Sequence, residues 1–426
     1  MGNAQTQFCN DTFKHKLPFT YHYSDDDYDI ECLFCYGECC YDDSTDQCLS
    51  ICTNDTGVPI NRLTCINCTE PLKYGIVLFI GVELVPVTLM VILIIIFNIQ
   101  LTNGSINALV FYSQLIAIVL SINGLNSPVK DNTLHLAFTI LQHLSAIPCY
   151  IFNLDLTPFL FNYPLCISHH MSPLGAISFW YGIGLYPLFL LLLLYGWMTL
   201  YDKGFKCVVF ITRPFHRCMA RFWSMTGIEP SFTHSIASIY ILCFTQLAAT
   251  SFKILSFNIL DNNNVTFYYD TNQEYFQGWH GFAGFIAFIV LLFLIVLPTL
   301  YILFYRFKWF QKLLDCLHLR KQLLISLGDV FTGPYKNGTE NTYDYRFMAG
   351  LYLLARIIIL IQFIMSYFFV YCIPISQAFC SFLLAVTLII FRPFRRNIHN
   401  FFEFLIMFVV SGIGYVSSLS ILLHWD

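Results

Sequence analysis

From residue 75 onward, apolar runs of about 16 to 27 residues alternate with short polar loops, and each run is long enough to cross a hydrocarbon core of about 30 Å as a helix. They predict transmembrane helices at 75–98, 105–125, 174–200, 234–256, 281–305, 348–371, 375–391 and 401–423. The seventh is short, and Pro374 suits a first helical turn. The segment 135–172 is apolar only in stretches and is interrupted at Pro148, Asn153-Leu154-Asp155 and Pro158. A re-entrant or interfacial hairpin fits it, and two short crossings would keep the same parity. The fold class that follows is all-α integral membrane: a bundle of about eight transmembrane helices over 75–423, with the 135–172 element beside it.

Positive charge sets the orientation, because Lys and Arg favour the cytosolic side. Fifteen of the 22 lie in three loops, 201–233, 306–347 and 392–396. The loop 257–280 has none, and it carries Asp261, Asp270, Glu274 and the sequon at Asn264. The three basic loops are therefore expected inside, and the N-terminus and the 257–280 loop outside. Asn103 and Asn337 also match the sequon but fall on the inner side, so they should stay bare.

Residues 1–74 differ from the rest, with 12 acidic against 4 basic residues and nine of the 17 cysteines: Cys9, Cys32, Cys35, Cys39, Cys40, Cys48, Cys52, Cys65 and Cys68. Sequons at Asn10, Asn54 and Asn67 accompany them. A small disulfide-stapled extracellular segment is the expectation, since about 70 residues with so few core formers need cross-links. The pairs Cys32/Cys35 and Cys65/Cys68 also have zinc-like spacing, an alternative that an external location disfavours. With 57% hydrophobic, 18% aromatic and 11% charged residues, the chain is too apolar for a soluble protein, and it lacks the basic character of a nucleic-acid binder. The expected localisation is the plasma membrane.

Ionisable or amide side chains inside spans need a partner or a wet surface. Glu83, Gln114, Gln246 and Arg356 are the candidates to line a path, with Asn107, Asn123 and Gln362 as further polar positions. Glu83 and Arg356 each lie about 12 Å along their helices; an ion pair or a shared polar cavity would accommodate them, and so would separate hydrogen bonds to neighbouring helices that only fix packing. Lys253 and Glu403 fall near helix ends, where snorkelling or interfacial placement suffices. Pro86 and Pro298 would free backbone carbonyls for a cation or a hinge. No Ser-His-Asp spacing, phosphate loop or metal-ligand set stands out, so neither an enzyme nor a cofactor is predicted. The stretches Phe205 to Phe222 and Arg306 to Leu314 mix cations with bulky apolar residues, as helices resting on an anionic inner leaflet do.

Several strings carry a resemblance: Asn153-Leu154-Asp155, Pro164-Leu165-Cys166-Ile167, Arg213-Pro214-Phe215-His216-Arg217-Cys218, Gly333-Pro334-Tyr335-Lys336-Asn337-Gly338-Thr339, Asp344 to Tyr352, and Arg392-Pro393-Phe394. Over 75–423 the chain resembles the C-terminal multipass membrane module of large, uncharacterised invertebrate surface proteins. More remotely, its layout is similar to TRP-like proteins of the flavin-carrier and polycystin-related type. The resemblance implies a cysteine-rich ectodomain ahead of the membrane module. The cysteines that relatives show at the positions of Pro334 and Tyr345 are absent here, so no role for them carries over. A TRP-like channel or transporter is the leading expectation; the alternative is a surface receptor or adhesion protein that recruits partners through its basic loops.

Overall fold

All eight apolar runs are helical over their described parts, joined by three further helices that the runs do not include. The computed structural model describes residues 80–123, 172–229, 231–259, 265–316, 322–339, 343–364 and 372–423, with positions 152 and 154 and short strands between 22 and 67. The helices are α1 (Val85–Ile96), α2 (Gly104–Asn123), α3 (Pro173–Asp202), α4 (Lys206–Thr226), α5 (Phe232–Ile254), α6 (Gly278–Val290), α7 (Leu297–Phe304), α8 (Lys308–Cys316), α9 (Gln322–Thr332), α10 (Met348–Leu360), α11 (Cys372–Phe391) and α12 (Asn397–Leu423). Four segments are long and apolar enough to cross a membrane: Leu174–Asp202, Phe232–Ile254, Gly278–Phe304 and Asn397–Tyr415. Val85–Ile96, Met348–Phe363 and Ile375–Phe391 are apolar but shorter.

Burial shows how these helices are arranged. The apolar window of α5 is 78% buried, whereas those of α3, of Gly278–Phe304 and of α12 are only 28–33% buried. The central helix is thus the one with most protein around it, and the other three turn Phe189, Leu192, Phe285, Phe293 and Phe408 outward. Apolar surface on that scale is at rest in lipid and not in water. Four helices of this length and composition are compatible with a membrane protein.

Both anticipated proline breaks have a structural counterpart. Proline lacks an N–H and its ring collides with the carbonyl four residues back, and a widened π turn relieves the collision. A π segment at Ile80–Leu84 precedes Pro86, and another at Leu291–Val296 precedes Pro298. The carbonyl freed by Pro298 is that of Leu294, and the Tyr240 hydroxyl donates to it at 2.8 Å. It is therefore taken by a side chain, not left open for a cation. Tyr240→Phe is expected to cost about 1–3 kcal/mol, since the acceptor stays buried without a donor; thermal unfolding in detergent would register the loss.

The molecule is mostly helical, with one exception inside the membrane module. Phe257–Ile259, Val265–Phe267 and Asp270–Glu274 form a three-stranded antiparallel sheet between α5 and α6. Aromatic and β-branched residues, Phe257, Ile259, Val265, Thr266 and Phe267, favour its first two strands, and the third is polar. His280, fully buried, fastens this sheet to the bundle: the Phe276 N–H donates to Nδ1 at 2.9 Å, and Nε2 lies 3.0 Å from the Ile254 carbonyl. With Nδ1 accepting, the proton sits on Nε2. Three short antiparallel strand pairs lie between His22 and Asn67; the side chains of residues 1–74, all nine cysteines among them, are outside the described residues.

The basic loops meet at one end of the bundle. Trp223 of α4 donates to the Ile96 carbonyl (2.9 Å), and Asn98 to that of Glu229 (2.8 Å). Gly104 lies against the His399 ring, Arg306 donates to the Asp344 carbonyl, and the Lys336 N–H to that of Pro393 (2.9 Å). The sheet and the carboxyl ends of α5 and α10 occupy the other end, where Phe257 N–H reaches the Ile364 carbonyl at 3.4 Å. Most of 135–172, the expected re-entrant element, is outside the described residues. Leu154, within its anticipated break, is 1% exposed with a left-handed backbone (φ 57°).

Candidate functional site

Helix α10 enters the bundle from the basic end and buries one face, on which Met348, Tyr352, Arg356 and Ile359 recur at helical spacing. Arg356 sits eight residues in, about 12 Å along the axis by helical rise. Its guanidinium is 1% exposed and lies 4.8 Å over the ring of Phe111 from α2, which meets the Tyr352 ring edge-on at 5.6 Å. The hydroxyls of Tyr335, Tyr352 and Tyr240 lie within electrostatic range of it. Its Nε and Nη2 have no hydrogen-bond partner among the described residues.

Glu403, expected to be interfacial, belongs to this cluster instead. Helix α12 begins at Asn397, four residues before the predicted start, and that extra turn carries Glu403 into the bundle, where it is fully buried. The Tyr352 hydroxyl donates to its Oε2, and Oε1 has no partner. Tyr335 completes the group from a loop: it is 1% exposed and hydrogen-bonded to the side-chain amide of Asn107, whose Oδ1 has no partner among the described residues.

Three of the strings that carry the sequence resemblance hold this loop in place. Tyr335 stacks on Phe394 with centroids 4.7 Å apart. The Arg395 N–H reaches the Pro334 carbonyl at 3.2 Å, and its Nε the Tyr335 carbonyl at 3.1 Å. Asn400 closes the turn by accepting from the Phe394 N–H at 3.0 Å. Next to it, Asp344 and Arg346 form a chelated pair at 2.9 Å. Burial works against the Asp344 carboxylate, but hydrogen bonds from the Arg346 side chain and N–H, with the Arg346 and Arg306 charges, outweigh it and hold the carboxyl below its ordinary value. A depressed folded-state value means stability that is present above about pH 4 and lost as the pH falls through the folded value. About a quarter of each side chain is exposed, which keeps the contribution to about 0.5–1 kcal/mol. Asp344→Asn should therefore lower the unfolding midpoint at pH 6, and the deficit should shrink as the pH falls below about 4.

The other predicted positions separate from the cluster. Gln114 is fully buried and satisfied: Nε2 donates to the carbonyls of Phe152 and Ile241 (each 3.1 Å), and Oε1 accepts from Thr245 at 2.7 Å. Gln246 is half-buried beside Gly184. Glu83 lies in the π segment before α1, but its side chain is outside the described residues, and the expected Glu83–Arg356 pairing lies outside them too. Asn10, Asn54, Asn67 and Asn264 are likewise outside them as side chains. Lys253 places its ammonium 5.6 Å over the Phe363 ring.

Two residues absent from the sequence reading extend the polar core along α11. Gln377 and Ser381 are fully buried, with neither amide atom of Gln377 and no Ser381 hydroxyl partnered. Ser411 of α12 donates to the Ala378 carbonyl at 2.9 Å. In this antiparallel pair, Gln377 thus lies at the level of Ser411, with Ser381 about one turn and Glu403 about two turns towards the basic end. Their position at i and i+4 on an otherwise apolar helix was the signal available in sequence. Among the described residues no three His, Cys, Asp or Glu side chains converge as metal ligands. No family model, no curated protein and no solved structure matches the chain.

Proposed function

We propose that this membrane protein moves a small ion across the bilayer, as a TRP-like channel or transporter, along the polar groups between α2, α10, α11 and α12. The observation that carries the reading is the Arg356 guanidinium, deep in the bundle with two nitrogens unpaired. An unpaired buried donor costs about 1–3 kcal/mol, more when charged, so its neighbours must include water or an ion. Glu403, Ser381 and Gln377 offer further unpartnered atoms at successive levels of the same contact. In this reading the N-terminus and the glycans at Asn10, Asn54, Asn67 and Asn264 are outside the plasma membrane, with residues 1–74 disulfide-bonded. The basic faces of α4 and α8 rest on anionic inner-leaflet lipids.

The test is ion flux through the purified protein in liposomes. Wild type should conduct, and Glu83→Gln and Arg356→Gln should each lower the flux about tenfold, the effect of some 1.4 kcal/mol on the barrier. A wild type silent for cations and anions alike rejects the proposal. A receptor or adhesion role is the second reading, favoured by the closed hydrogen-bond network of Gln114, which fixes α2 against α5 and leaves nothing to line a path.

A further inference from the structure

We infer that Cys207 and Cys218 of α4 are S-acylation sites that carry fatty acyl chains into the inner leaflet. This 21-residue helix has three faces. One, with Phe222 and Trp223, packs half-buried on the bundle: the Phe222 ring lies 5.7 Å from Phe97, and Trp223 donates to Ile96. A second is a row of exposed cations, Lys206, Arg213, Arg217 and Arg221, seven, four and four residues apart. The third is apolar and equally exposed, with Ile211 at 61%, Phe215 at 59% and Met225 at 74%.

A helix whose free surface is half cationic and half apolar lies flat in a leaflet, with cations at the phosphates and apolar residues among the acyl chains. The two cysteines stand eleven residues apart, three turns on the same side, where the cationic row meets the apolar one. Both thiols are free and exposed, whereas Cys243 is sealed inside α5. Each Sγ is therefore held at the depth of the ester carbonyls, with a bed of Ile211 and Phe215 beside it. Juxtamembrane cysteines on amphipathic helices are acceptors for this chemistry. Sγ bonds to the carbonyl carbon of a fatty acyl-CoA, the donor C–S bond breaks, and CoA leaves as the thiol with the cysteine proton, under a membrane acyltransferase. The inference rests on the orientation proposed above, in which α4 is cytosolic.

The experiment feeds eukaryotic cells expressing the full chain an alkynyl fatty acid and reads hydroxylamine-sensitive label on the purified protein. Wild type should be labelled, Cys207→Ser and Cys218→Ser should each lose about half, and the double variant nearly all, with its gel-filtration profile unchanged because both positions are exposed. A label that survives in the double variant overturns the inference. A parallel reaction with a membrane-impermeant maleimide separates the two ways to fail. If the cysteines react only in permeabilised cells yet carry no acyl group, the inference alone falls; if they react in sealed cells, the orientation falls and takes the inference with it.

Discussion

Gly350→Ala should destabilise this protein more than any other single added methyl group. A Cβ at Gly350 would stand 2.4 Å from Cα and 2.6 Å from the backbone nitrogen of Leu303, so α7 and α10 would have to move apart. No rotamer change relieves a collision with backbone, and the cost should exceed the about 1–3 kcal/mol usual for overpacking. The separation would also shift Arg356, less than two turns further along α10. Gly182→Ala and Gly412→Ala are the controls, because nothing lies within 4 Å of either added carbon. There the helix gains about 0.5–1 kcal/mol of propensity, so both variants should be neutral or stabilised. Thermal unfolding of the three in one detergent checks the sign as well as the size.

Glu403→Leu carries the second large effect. It strands the Tyr352 hydroxyl in the bundle without an acceptor, at a cost of about 1–3 kcal/mol. Tyr352→Phe does the reverse and should cost more, because it leaves a carboxyl group with neither oxygen partnered. If the pair acts as a unit, the Glu403→Leu/Tyr352→Phe double variant will be less destabilised than the sum of the singles, by a coupling of about 0.5–3 kcal/mol. Additive losses would mean that the two side chains are placed by packing alone. Glu403→Gln, which keeps an acceptor, should recover most of the stability.

The membrane-embedded helices were legible because lipid imposes one length and one polarity on every crossing. The gathering of the basic loops at one end was legible for a related reason, since 15 of the 22 Lys and Arg lie in three segments between spans. The candidate cluster was only half legible. Arg356 stands out as a cation inside an apolar run, but Glu403 looks interfacial because the hydropathy run begins four residues after the helix does: Asn397, His399 and Asn400 are polar and yet helical. Tyr335 could not be placed from sequence, since it reaches the core from a loop whose path depends on the Tyr335–Phe394 stack and the Arg395 bonds to Pro334 and Tyr335. Gln114 is polar within a span just as Arg356 is, yet Phe152, Ile241 and Thr245 satisfy it completely; hydropathy cannot tell a sealed amide from a wet one. The sheet at 257–274 was hidden in a loop defined only by its lack of Lys and Arg.

The most direct test of the account is whether the polar core is wet. Hydroxyl-radical footprinting of the protein in liposomes, quantified residue by residue, reports water beside side chains that bulk solvent does not reach. Tyr352, 1% exposed, should be oxidised at a rate within a few-fold of Tyr343, which is 82% exposed, while the equally buried Phe244 stays unmodified. Protection of Tyr352 to the level of Phe244 would mean a dry bundle and would contradict the proposed path.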